Sequence, residues 1–104
     1  MGKYVFVYYS GGDMGGHTMD EVKAAWGEWF GQLGDKLIDG GNAFNDGGKA
    51  VEKSGVTTIE NFPATGYSIV SADSMDEATE IAKGCPMLEH SAHGAVRVYE
   101  ALPM

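Results

Sequence analysis

With 104 residues the chain can build one hydrophobic core but not two, so the sequence predicts a single domain over 1–104. Hydrophobic residues make up 43% and aromatic residues 11%, which excludes a disordered chain. Seven basic residues against 15 acidic ones leave a net charge of −8, which argues against nucleic acid or an anionic membrane surface as a partner, since both call for cations.

Cys85 is the one cysteine and has no internal partner for a disulfide, so nothing points to an oxidising compartment. The apolar run over 4–9 is too short for a signal-peptide core or a membrane span. Phe6 stands where N-myristoylation wants Ser or Thr. The cytoplasm is the expected compartment.

Residues 3–9 read as a strand, with Tyr4, Phe6 and Tyr8 on one face and Val5, Val7 and Tyr9 on the other. Both faces are apolar, so the strand needs cover on each side. Residues 10–16 form a glycine-rich loop that leads into a capping box, Thr18-x-x-Glu21. A helix then runs to about residue 38. Met19, Val22, Trp26, Trp29, Phe30, Leu33 and Leu37 fall within roughly 100° of arc, and Glu21, Glu28, Gln32 and Asp35 lie opposite. Gly27, Gly31 and Gly34 make a stripe beside the apolar one. Each costs about 1 kcal/mol of helix propensity, for which close approach of another backbone is the expected compensation. Gly40-Gly41 is the expected helix end.

Residues 42–65 carry little periodicity. A turn falls at 45–48, and short strand candidates at 49–52 and 56–59 flank Ser54-Gly55. Pro63 limits any strand beside it. The stretch 66–86 is better punctuated. Residues 67–72 alternate as a strand, and Ser74-x-x-Glu77 is a second capping box. Met75, Ala78, Ile81, Ala82 and Cys85 share one helical face, Gly84 reads as a left-handed helix end, and Pro86 prevents continuation. A loop over 87–93 leads to a final strand over 94–102, with Val96 and Val98 on one face.

Four strands and two helices in this order predict an α+β fold: a ferredoxin-like βαββαβ split sandwich, its antiparallel sheet covered on one face by two helices. The other face would be a large apolar patch in a monomer, so a homodimer burying it about a two-fold axis is expected.

GYSIVSADSMDEATEIAKGCP at 66–86, GAVRVYEALPM at 94–104, Asp39-Gly40-Gly41-Asn42 and the opening YVFVYY together resemble the YCII-related (DGPF-type) domain family of the dimeric α/β barrel superfamily. The likeness covers nearly the whole chain, and is weakest over 44–65. It implies a ferredoxin-like homodimer. It also implies, for some members, cofactor-free enzymes acting on small aromatic substrates through a His on the first helix and an Asp before a Pro after the second. Here Trp26 stands at the His position and Cys85 at the Asp position, before Pro86. The Asp-Gly-Pro-Phe motif is absent, and Asn61-Phe62-Pro63 is the nearest text.

Gly11-x-x-x-x-Gly16-His17-Thr18 imitates a phosphate loop with His17 in place of the lysine; a flexible loop is the alternative, and a bound anion at the helix start is a third reading. His90-x-x-His93 with Glu89 offers metal-ligand types, but the spacing favours solvated loop histidines and no metal is assigned. Cys85 beside a His is a candidate nucleophilic pair, yet a helix C-terminus raises a thiol pKa, which favours a buried structural cysteine. Trp26 reads as core, or as a pocket wall with Tyr9.

The predicted topology collects the 10–16 loop, Cys85 and all three histidines at one end of the sheet, with Asp73 at the other as a helix cap. The candidate ligand site is therefore Tyr9, Ser10, His17, Trp26, Cys85, His90 and His93, in a pocket between the first helix and the sheet. The rival reading is three unrelated surface histidines. The expected function is a small homodimeric protein binding a small molecule without a cofactor. A cofactor-independent lyase or hydrolase on a small aromatic or lactone-like substrate is the alternative, and a pocketless interaction module the third class.

Overall fold

The computed structural model describes residues 2–9, 18–45, 48–60, 63–90 and 94–103, apart from the side chains of Met19, Glu89 and His90. Nine elements follow in order: β1 (Gly2–Tyr9), α1 (Met19–Leu33), β2 (Leu37–Asp39), β3 (Lys49–Glu52), β4 (Gly55–Thr58), β5 (Ala64–Ala72), α2 (Met75–Ala82), α3 (Pro86–His90) and β6 (Ala95–Ala101). The main sheet has the order β2-β5-β1-β6, antiparallel throughout. Two central strands separated in the chain by a helix and the edge strand β2, with β6 at the far edge, make the ferredoxin-like split sandwich. β3 and β4 form a separate two-stranded ribbon.

The predicted second strand is thus placed elsewhere. The 49–52 and 56–59 segments pair with each other, Val51 facing Val56, instead of joining the main sheet. The sheet's second strand is Leu37–Asp39, inside the stretch that the helical arc assigned to the first helix. The cause is Gly34: its φ of 53° is closed to most side chains, its N–H caps Phe30 O, and a short 3-10 turn over Gly34–Lys36 then turns the chain into the sheet. Leu37 still meets the core, but as a strand residue opposite Val70. Gly27, Gly31 and Gly34 do not mark a close approach, since a Cβ on any of them would meet nothing within 4 Å among the described residues.

Both helix starts behave as their sequences dictate. Thr18 Oγ1 accepts from the Glu21 N–H at 3.2 Å, and Glu21 Oε1 accepts from the Thr18 N–H at 3.1 Å. Ser74 Oγ accepts from the Glu77 N–H at 3.1 Å, but the Glu77 carboxylate reaches one residue further back, to the Asp73 N–H. The end of α2 differs from expectation. Gly84 is not left-handed; it is small because a Cβ there would come within 3.1 Å of Trp29 Nε1. Pro86 opens α3, a position where its missing N–H is harmless, so part of the predicted 87–93 loop is helical.

Tyr4, Phe6 and Tyr8 of β1 point at the helices and join Trp29, Val70, Ala72, Ala78, Ala82 and Cys85 in the core. The opposite face of the sheet carries rows set by the register. Ile69, Val5 and Tyr99 lie side by side, as do Tyr67, Val7 and Arg97. Tyr99 on that face is 51% exposed. Among the described residues no helix is long and apolar enough to cross a membrane.

A candidate ligand cavity under helix α1

The most informative local event lies where β2 stops. Asp39 leaves the sheet, the chain arches over 40–42, and Ala43 returns to bridge Gly66. Three interactions hold the arch. Asp39 Oδ1 accepts from the Gly41 N–H at 2.8 Å, an Asx turn. Ser68, fully buried, donates its hydroxyl to Gly40 O at 2.8 Å. The Phe44 N–H donates to Thr65 O at 2.9 Å. Gly41 has φ 73° and lies against the Tyr67 carbonyl, so that a Cβ there would collide with it.

On the next strand the ladder is irregular at the same level: the register of β1 on β5 shifts between Tyr8 and Tyr9. The Thr65 hydroxyl donates to Tyr8 O at 3.2 Å beside that shift. Above the arch stands the aromatic face of α1. Trp26 packs edge-on to Tyr8 at 4.8 Å between centroids, and edge-on to Trp29 and Phe30 at 5.6 Å each.

These parts enclose a cavity of about 430 Å³, within the range of small-molecule sites. Tyr8, Trp26 and Phe30 form its aromatic walls, residues 40–43 and 65–67 its polar-backbone side, and Met87 of α3 a further wall. No charged side chain lines it among the described residues. Tyr8 is 4% exposed, and its hydroxyl is buried without a hydrogen-bond partner among the described residues. Burial pushes the Tyr8 phenol well above its ordinary range. The Ser68 hydroxyl beside it, which donates its own proton to Gly40 O and keeps its lone pairs free to accept, tempers that rise.

The structure places the predicted site residues in different surroundings. Trp26 lines a cavity between the first helix and the sheet, at the end of β5 away from Asp73. Tyr9 does not wall it: strand alternation turns Tyr9 to the other sheet face, where Arg97 sits over its ring at 4.8 Å, and Tyr8 takes the place against Trp26. Cys85 is in the core at 2% exposure, and burial pushes its thiol up to about 12, so it is an inert structural cysteine rather than a nucleophile. Ser10, His17 and His93, with the phosphate-loop text, lie outside the described residues, and His90 ends α3. Among the described residues, no three of His, Cys, Asp and Glu converge as a metal centre.

Sequence reasoning missed Phe30, Met87 and the 40–43 arch. The signal for the arch is Asp39-Gly40-Gly41, an Asx-turn text that equally suits a helix end. The signal for Tyr8 over Tyr9 was the bulk of the Tyr4–Phe6–Tyr8 face, which suits the side that the tryptophans cover.

No family model matches the chain, and no curated protein matches it. Among solved structures it is similar to 5-chloro-2-hydroxyhydroquinone dehydrochlorinase (TftG) from Burkholderia phenoliruptrix AC1100, in complex with 2,5-dihydroxybenzoquinone. The two share 20% identity over 91% of this chain and 90% of that one, with a TM-score of 0.51. That likeness, with the strand order above, establishes the fold.

Proposed function

We propose that the protein binds a small planar molecule in the cavity under α1, as a homodimer and without a cofactor. The observation that carries this reading is the cavity itself, about 430 Å³ walled by Tyr8, Trp26 and Phe30 and closed on one side by a glycine arch held in place by Ser68 and Asp39. Aromatic walls favour a flat ligand through stacked and edge-on contacts. The fold neighbour's complex with a quinone supports the same ligand shape. The proposal keeps His17, His90 and His93 as candidate ligand-binding residues. Native mass spectrometry of the purified protein, followed by titration with small aromatic compounds, tests the reading. A retained adduct that Trp26→Ala abolishes supports it; no adduct and no response from any aromatic probe refutes it. His17→Ala and His93→Ala should both weaken binding of whatever compound is found.

A second reading, a cofactor-independent lyase or hydrolase on a small aromatic or lactone-like substrate, draws support from the neighbour's being a dehydrochlorinase. The mass measurement separates the two: a binder returns the compound unchanged, and an enzyme returns a new mass.

The dimer and the family assignment to the YCII-related group are part of the same proposal. The open sheet face with Val5, Val7, Ile69 and half-exposed Tyr99 supports the dimer. Light scattering at micromolar concentration should give twice the 11.0 kDa chain mass, and Val7→Asp should halve it, because a charge buried without a partner is strongly unfavourable. A wild-type monomer would remove the dimer while leaving the cavity reading intact. A single buried cysteine fits a cytoplasmic protein.

A further inference from the structure

We infer that the β3–β4 ribbon is a dimerisation arm: each copy lays the Val51–Val56 face of its ribbon on its partner. This inference rests on the dimer reading above and adds to it a contact outside the open sheet face.

The ribbon has no core of its own. Every residue of β3 and β4 is exposed except half-buried Ala50, and none joins the core cluster. A lone two-stranded ribbon is marginal in water. Val51 and Val56 stand opposite each other on one of its faces, 77% and 63% exposed. Lys49 and Thr58 share that face by strand parity, and Lys49 Nζ donates to Thr58 Oγ1 at 2.9 Å. The two ends of the ribbon meet where the Ile59 N–H donates to Gly48 O at 2.9 Å. The radius of gyration is 14.6 Å, where about 13 Å is expected of a compact chain of this length, as an arm standing off the body requires.

Two observations name a second copy of the chain as the cover. The first is continuity. Phe44, at the root of the ribbon, stacks on Tyr67 at 5.9 Å and 27°, and Tyr67 stands in the open-face row with Val7 and Arg97. Exposed Phe44 and Ile59 thus extend the apolar surface of the sheet towards Val51 and Val56. A partner laid on the sheet face about a two-fold axis lies next to the ribbon, and the axis lets each copy both give and receive an arm. The second is charge. Residues 49–58 hold Lys49, Lys53 and Glu52, a net +1 on a chain of net −8, so the arm is drawn to a partner that is acidic as a whole.

Sedimentation equilibrium of the full chain tests the arm. Val51→Thr with Val56→Thr keeps the β-branched shape but removes apolar burial, so the dimer should dissociate about tenfold more readily or worse. Excising 49–58 and joining Gly48 to Ile59 through two glycines should weaken the dimer at least as much, with the circular dichroism of the main sheet retained. A wild-type dimer whose dissociation constant neither variant changes overturns the arm and leaves the sheet-face dimer standing. A wild-type monomer removes both. Should the variants fold poorly, proximity decides. Ser54→Cys takes a nitroxide on the exposed turn of the ribbon, Cys85 being buried. Mixed with isotope-labelled wild type, the nitroxide should broaden amide signals of the labelled copy, and mixed dimers without such broadening overturn the arm.

Discussion

Replacing Gly41 by Ala tests the arch that walls the cavity. Gly41 has φ 73°, where an L-residue costs about 1–2 kcal/mol more than glycine. Its new Cβ would also come within 2.6 Å of the Tyr67 carbonyl carbon, on a strand anchored between two others, so the arch must move. Moving it separates Gly40 O from Ser68 Oγ and leaves a fully buried hydroxyl without its acceptor, a further cost of about 1–3 kcal/mol. The expected loss is about 2–5 kcal/mol. Gly34→Ala is the control: its φ is 53° with ψ −124°, but the Cβ would stand in open space, so only a conformational cost of about 1–3 kcal/mol applies. Urea unfolding followed by tryptophan fluorescence measures both, at one protein concentration. If Gly41→Ala loses no more than Gly34→Ala, the arch is not pinned on β5 and the cavity wall is misassigned.

Gly27→Ala, mid-helix with no described neighbour within reach, should gain about 1 kcal/mol, and Gly31→Ala, in the last turn, about half of that; a loss in calorimetry would show that this face is covered in solution. Ser74→Ala should lose about 1 kcal/mol in urea unfolding through the Glu77 N–H, and no change would move the cap to Asp73. Cys85 should resist iodoacetamide at pH 9 in the folded protein and react on unfolding. Its thiol ionises at about 12 when folded against 9.0 ordinarily, so its contribution to stability is complete below pH 9 and declines as pH rises from 9 towards 12. Rapid labelling of folded protein would contradict its burial.

The strands and helices with strong punctuation were legible. The alternation of 67–72 and the two capping boxes needed no tertiary information, because the side chains concerned bond within four residues of themselves. The edge strand Leu37–Asp39 was not legible, since three residues carry no period and Leu37 continues the helical arc of the preceding stretch. Only the φ of Gly34 breaks that arc, and a glycine in sequence does not announce its sign of φ. A cavity between the first helix and the sheet was legible as a location: Trp26 on that helix, at the end of the sheet away from Asp73, followed from topology. The identity of its partner did not, because Tyr8 and Tyr9 differ only in strand parity, and parity is decided by which face the helices cover.

The position of the cavity has a physical origin in unequal strand lengths. β5 runs for nine residues, whereas β2 offers it only three, so the outer edge of β5 near Gly66 to Ser68 lacks a continuous partner. Backbone groups at such an edge must still be satisfied. The Phe44 N–H meets part of that need at Thr65 O, while Asp39 and Ser68 hold the arch by its own Gly41 N–H and Gly40 O at 2.8 Å each. An arch bows away from the sheet where a strand would lie flat, and α1 bridges the opening with the edges of Trp26 and Phe30. Lengthening β2 would therefore close the site. A variant that deletes one residue between Gly40 and Asn42 should draw Ala43 towards the ladder, shrink the 430 Å³ space and abolish probe binding while the sheet persists. Probe binding that survives such a deletion, with circular dichroism unchanged, would mean that the arch does not shape the cavity.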